Sequence, residues 1–281
     1  MKRFNLKVTA FILLSLIIVL VMAGCSTPQT SKLKVVTSTS LLTYIVERVG
    51  GDKVEVVNIV PPAQHPGDFD AKPSDIQKLA QADLFLVHGW PGETYVPNLV
   101  NSANNTKLKV ITISVEGSWM TPQVQLQATD KVAVALGEAD NKNSDIYQRG
   151  AAEYKAAVTA KETEIKARLA EVNLSAINVI GASYQADFLK WTGVNVVATY
   201  GTPETFTPQL VKELVDKGKA GSVTLIVDNL HSGQDAGKGI AEELGCKRVI
   251  LINFPGGVDN TEIWEKAIDY NIELILRAVS P

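Results

Sequence analysis

Two stretches of alternating β-branched runs and amphipathic segments flank one long proline-free stretch, and this arrangement restricts the fold more than any other feature of the chain. From Lys34 the order is KVVTS, LLTYIVERVGG, VEVVNIV, PSDIQKLAQA, DLFLVHG and KVITIS. Apolar runs separated by helix-like segments of about ten residues predict βαβ units and a parallel sheet buried on both faces. The alternation stops after Gly117. Between Ser144 and Val172 there is no proline, and Ile146, Gly150, Tyr154, Val158, Ile165, Leu169 and Val172 recur at helical spacing. Such a helix runs to roughly 40 Å at 1.5 Å per residue, longer than one domain of this size, and reads as a strut. The alternation then resumes with INVIGA, VNVVATYG, TPQLVKELVDKG, VTLIVDN, GQDAGKGIAEELG and KRVILIN, and a last helix is expected over Thr261–Val279. The expected class is α/β, with two α/β lobes built on parallel sheets, one long rigid helix joining them, and a ligand cleft between the lobes. Residues 33–142 form the N-terminal lobe in this reading, 143–172 the bridging helix and 173–281 the C-terminal lobe. Ligands of open α/β sheets sit beyond the carboxyl ends of the strands, so the strand-to-helix loops are the place to look for a site.

The first residues carry the three parts of an export signal. Lys2, Arg3 and Lys7 form a positive start, Ala10–Ala23 an apolar run of about fourteen residues, and Met22-Ala23-Gly24 a small-residue approach to Cys25. The apolar run falls short of the roughly 20 residues that span a bilayer. A cysteine directly after the small residues points to lipidation of Cys25, so residues 1–25 are expected to be a lipoprotein signal peptide ending at that cysteine, and 26–32 a short polar tether. The expected location is extracytoplasmic, anchored to the cell membrane by that lipid.

Cys246 is the only other cysteine, which excludes a disulfide within the folded part. Stability then rests on the core, and 46 % apolar residues are enough to build one. A net charge of −3 without a long basic run excludes nucleic acid as the expected partner. The chain has no G-x-S-x-G elbow, phosphate loop, H-E-x-x-H or C-x-x-C motif, and the loop acids Asp68, Asp70 and Glu93 read as solvated. No enzymatic activity and no catalytic residue is expected.

The segment Pro61–Asp75, PPAQHPGDFDAKPSD, places a histidine beside two aspartates on an open, proline-held loop. His65, His88 and His231 are the only three histidines, and each follows the carboxyl end of a predicted strand. Together with Asp68 or Asp70 they would make a three-histidine, one-carboxylate shell of the kind zinc or manganese takes. Lone loop histidines more often serve as polar caps, so at most His65 and His231 are retained as metal ligands. Trp90, Trp119, Tyr184, Gln123, Gln125, Asn229 and Asn253 gather near the same loops. Aromatic faces mixed with amides suit a small organic molecule better than a bare cation. The hydroxyls of Thr37-Ser38-Thr39-Ser40 either cap the helix that follows or receive an oxyanion, and capping is the favoured reading.

The order LKVVTSTSLL, GGDKVEVVNIVPP, KPSDIQKLAQADLFLVHG, the long helix, IAEELGCKRVILIN and YNIELI is similar to the zinc- and manganese-binding solute-binding lipoproteins of ABC importers, the TroA-like proteins. The resemblance covers the chain beyond the tether, and VEVVNIVPP followed by KPSDIQKLAQADL is its most specific part. It implies two α/β lobes bridged by a rigid helix, a metal held between them, a monomer, and delivery to a membrane permease with its ATPase. The family's usual ligand positions fall here on Gly67, Gln123, Ala182 and Ile252 or Asn253. None is an imidazole or a carboxylate. The expected function is therefore that of an extracytoplasmic solute-binding lipoprotein of a zinc/manganese-type ABC importer with a degenerate or rebuilt metal site, zinc or manganese being at most a transported ligand and no cofactor being certain. Two alternatives stay open: the same scaffold binding a small organic or anionic solute, and a non-transport, adhesin-like surface lipoprotein. The ligand-binding candidates carried forward are His65, Asp68, His88, Trp90, Gln123, Tyr184, Asn229, His231 and Asn253.

Overall fold

The computed structural model describes residues 32–280. The export signal, Cys25 and the tether up to residue 31 lie outside the described residues. The first half contains β1 (Leu33–Thr37), α1 (Ser40–Gly50), β2 (Val54–Asn58), α2 (Pro73–Ala80), β3 (Leu84–Val87), α3 (Val96–Ala103) and β4 (Lys109–Thr112). Two helices follow, α4 (Pro122–Ala139) and α5 (Ser144–Ala170). The second half contains β5 (Asn178–Ala182), α6 (Ala186–Thr192), β6 (Asn195–Tyr200), α7 (Pro208–Ala220), β7 (Leu225–Asn229), α8 (Leu230–Gly233), α9 (Lys238–Leu244), β8 (Lys247–Leu251) and α10 (Trp264–Val279).

Both sheets are entirely parallel, ordered β2-β1-β3-β4 and β6-β5-β7-β8. The expected two-lobed α/β architecture with a long helix is present. In each sheet the chain leaves the middle in opposite directions, so the loops after the central strands diverge and leave a crevice at the carboxyl edge. Of the central strands, β3 (LFLV) and β7 (LIVDN) are buried throughout. Continuous apolar runs of this kind belong to strands covered on both faces.

Helix α5 makes contacts with both halves. Its first turns pack on α1 and α4: Tyr154 donates to Gln125 Oε1 at 2.9 Å and meets Tyr44 edge-on at 5.6 Å. Its later turns hold α10, where Lys161 and Arg168 both reach Asp269, at 2.9 and 3.0 Å. The buried stripe is Tyr147, Ala151, Tyr154, Val158, Ile165 and Leu169, so Tyr147 takes the inward place expected for Ile146. Gly150 is set by close approach, because a Cβ there would lie 2.3 Å from the Val49 carbonyl oxygen.

One core cluster passes without interruption from Val35, Leu42 and Val46 through Tyr154, Val158 and Ile165 to Val179, Phe188, Val227 and Trp264. Two smaller clusters cover the outer faces of the sheets. Everything from Leu33 onward accordingly clusters as one compact unit. The sequence patterns passed over α4, which connects the two expected regions, and α3 and α6, which are short. Beyond Gly233, which ends the short α8, the segment GQDAGKGIAEELG is helical only from Lys238, in α9. Among the described residues no helix is long and apolar enough to cross a membrane.

Candidate functional site

A cavity of about 390 Å³ opens where the carboxyl ends of the two sheets face each other. The first half contributes Leu41, His65, Pro66, Trp90, Pro91, Gly92, Gly117, Ser118, Trp119 and Met120; the second contributes Tyr184, Asn229, His231, Asn253 and Phe254. Nearly all of these follow strands β2, β3, β4, β5, β7 and β8. The location is the one expected for a ligand of an open α/β sheet.

Local backbone chemistry holds the lining in place. After β3, the buried Glu93 carboxylate accepts the backbone N–H groups of His88, Gly89 and Trp90 at 3.2, 2.6 and 3.2 Å. That loop carries Trp90 into the cavity, with one indole face stacked on His88 at 3.6 Å and 3°. Trp119 meets Trp90 edge-on at 6.1 Å, and Phe254 from the other half meets it at 6.2 Å. After β8, Asn271 of α10 donates to Ile252 O and accepts from Ile252 N–H, at 2.8 and 3.0 Å, and so sets Asn253 and Phe254. Asn253 Oδ1 accepts from Gln185 Nε2 at 2.7 Å.

The three histidines have different fates. His88 is buried beneath Trp90, bonded through Nε2 to Thr39 Oγ1 at 2.7 Å, and does not line the cavity. Burial holds its pKa well below the ordinary imidazole value. His231 lines the cavity with both ring nitrogens engaged: Nδ1 accepts from Asn253 N–H at 3.4 Å, and Nε2 donates to Pro62 O of the opposite half at 2.7 Å. Burial, opposed by the bond to Pro62 and assisted by nearby His65, lowers its pKa to about 4. His65 lies at the mouth edge-on to Tyr184, ring centres 5.6 Å apart, and its Nδ1 accepts from Gly67 N–H at 3.1 Å. Acceptance at Nδ1 places the proton of the neutral ring on Nε2.

Of the candidates read from the sequence, the structure thus gathers His65, Trp90, Tyr184, Asn229, His231 and Asn253 around one cavity, together with Trp119. Gln123 is exposed on the first turn of α4, Asp68 is exposed on the short 3-10 turn after His65, and neither lines the cavity, nor does Gln125, whose amide donates to Trp119 O at 2.6 Å. Ala182 ends β5 and is buried. The hydroxyls expected to cap α1 do not: Thr39 makes no side-chain cap bond and turns to His88 instead, while Thr37 Oγ1 pairs with Thr43 Oγ1 at 2.6 Å. Glu93, which reads from the sequence as a solvated acid, is buried and organises the Trp90 loop. Leu41, Met120 and Phe254 carried no signal of their own, because an apolar residue near a strand end reads as core.

Among the described residues, no three His, Cys, Asp or Glu side chains come together so as to hold a metal ion. The described lining contains no Asp, Glu, Lys or Arg, and no imidazole nitrogen in it has a free lone pair. A divalent cation needs such donors.

Comparison with known proteins places these features in a lineage. Residues 35–278 match the family described as zinc-uptake complex component A, periplasmic (ZnuA). The metal ABC transporter substrate-binding lipoprotein FimA of Streptococcus parasanguinis is 28 % identical over 246 residues, covering 77 % of this chain and 78 % of that protein. The manganese ABC transporter substrate-binding lipoprotein PsaA of Streptococcus pneumoniae is 27 % identical over 250 residues, covering 77 % and 78 %. The crystal structure of ZnuA superposes with a TM-score of 0.75 at 20 % identity, over 89 % of this chain and 100 % of that one. The FpvC solute-binding protein of Pseudomonas aeruginosa, in complex with nickel, also superposes at 0.75 with 20 % identity, over 89 % and 97 %. With a family match that runs from the first strand to the last helix, this chain belongs to the ZnuA family of metal-type solute-binding proteins.

Proposed function

We propose that the chain is the solute-receiving lipoprotein of an ABC importer and that its cleft no longer holds zinc or manganese. The observation that carries the reading is the cavity itself, built from strand-end loops of both sheets and without a charged side chain or a free imidazole lone pair in its described lining. A solute there touches both halves at once, and a permease that separates them releases it. Because one core runs through the strut helix into both halves, capture needs little movement. In this reading the lobes are 33–142 and 173–281 with 143–172 between them, the protein acts as a monomer, and Cys25 carries the lipid that keeps it beside the permease and its ATPase.

Two measurements test this. The chain from Ser26 is expected to stimulate the ATPase of its permease complex in liposomes; no stimulation over a range of concentrations would reject the importer role. For the metal, a tight ligand at 1,000 times its dissociation constant adds roughly 4 kcal/mol, or about 8–16 °C of midpoint in a protein of this size. Chelator-stripped protein is expected to show no such shift with zinc or manganese. A shift of that size, lost in His65→Ala, would reject the metal-free cleft.

A further inference from the structure

Resting on that reading, we propose that the cleft binds an uncharged, planar aromatic heterocycle that carries a hydrogen-bond acceptor in the plane of its ring. Three independent observations define the class. The first is charge. With no Asp, Glu, Lys or Arg in the described lining and both of its imidazoles already hydrogen-bonded, an ionic solute finds no counter-charge to replace its hydration, a cost of several kcal/mol in a low-dielectric site. The second is shape. Trp90, Trp119, Tyr184 and Phe254 surround the space, and Trp90 is braced from behind by His88; a ring that stacks on it meets a surface that is already rigid. A cavity of about 390 Å³ falls toward the small end of the roughly 300–1,000 Å³ found for organic ligands.

The third is a buried donor without a partner. Asn229 is fully buried and lines the cavity, yet its Nδ2 has no hydrogen-bond partner among the described residues. Which end of the amide is nitrogen is settled by its surroundings, since Oδ1 accepts from the backbone N–H groups of both His231 and Ser232, at 2.8 and 3.1 Å. An orphaned buried N–H costs about 1–3 kcal/mol, and an acceptor supplied by the ligand recovers that. His65 lines the same cavity and, because Nδ1 accepts from Gly67, its other ring nitrogen is also an N–H. Donors repel a metal ion or a quaternary ammonium and attract a ring nitrogen or carbonyl oxygen. The amide selects the acceptor, and the aromatic walls select the ring.

The test is a titration of chelator-stripped protein from Ser26, read by intrinsic tryptophan emission and by thermal midpoint. The probes are adenine, nicotinamide and quinoline, with choline, benzoate and zinc chloride as the charged set. At least one heterocycle is expected to saturate the signal and raise the midpoint, and none of the charged set should. Asn229→Asp retains the Oδ1 that caps α8 but replaces the donor with an acceptor, so affinity for that heterocycle should fall tenfold or more, while the buried carboxylate also lowers the unliganded midpoint. Should that variant fold poorly, Trp90→Leu serves in its place and should lose binding to a similar degree. Silence from all three heterocycles, saturation by any of the charged set, or unchanged affinity in the variants overturns the assignment. Such a result with a protein that still stimulates its importer rejects the ligand class alone, whereas absence of stimulation rejects the importer reading.

Discussion

Acidification should weaken the fold through one side chain that ties the two halves together. His231 is 7 % exposed and bonds both Pro62 O and Asn253 N–H, an arrangement that only the neutral ring satisfies. Its pKa drops from 6.5 to about 4, chiefly through burial. In the unfolded chain the ring titrates near its ordinary value of about 6.5. Between the two values the unfolded state holds the extra proton. The stability that His231 contributes is therefore complete above about pH 6.5 and is lost as the pH falls toward 4. At about 1.36 kcal/mol per pH unit the loss comes to about 3 kcal/mol, or roughly 6–12 °C in midpoint for a chain of this length. Denaturant unfolding of the wild type and of His231→Gln, taken from pH 7.5 to pH 4, isolates the effect. His88 shifts in the same direction but is present in both proteins and cancels in the difference. The wild type should lose about 3 kcal/mol more than the variant across that window. Equal slopes in the two proteins would refute the assignment of the neutral latch.

Gly150→Ala should destabilise despite the better helix propensity of alanine: the gain of about 1 kcal/mol is outweighed by a Cβ placed 2.3 Å from Val49 O, where overpacking costs typically 1–3 kcal/mol. A raised thermal midpoint for this variant would show that α1 and α5 can separate freely. Arg248→Met removes the cation beside Asp228, a fully buried carboxylate that also accepts from Tyr200 OH and Gly237 N–H at 2.5 and 2.7 Å. Removing one partner of a buried pair costs about 3–5 kcal/mol, and the partial exposure of Arg248 reduces the expected loss to about 2 kcal/mol; adding Asp228→Asn should return part of it, as read by chemical denaturation.

The two sheets and the long helix were legible because their signals are local. KVVTS, VEVVNIV, DLFLVHG and VTLIVDN each declare a strand from their own side chains, though VEVVNIV forms the half-exposed edge strand β2, and the absence of proline from Ser144 to Val172 declares the strut. Helix α4 was not legible. Its sequence, PQVQLQATDKVAVALGEA, buries Gln125 and Thr129 alongside Val124, Ala128 and Val132, and buried polar residues blur a helical stripe.

The chain by itself determined which residues stand at the strand ends, since a strand and its following turn are written in adjacent residues. Only the tertiary structure decided what those residues can bind. The two ring nitrogens of His231 are engaged by Pro62, 169 positions away, and by Asn253, His88 is hidden behind Trp90, and Gln123 faces solvent although Trp119, just before α4, lines the cavity. Ligand chemistry depends on the direction of a donor or a lone pair, and that direction is fixed by packing between segments the sequence keeps far apart.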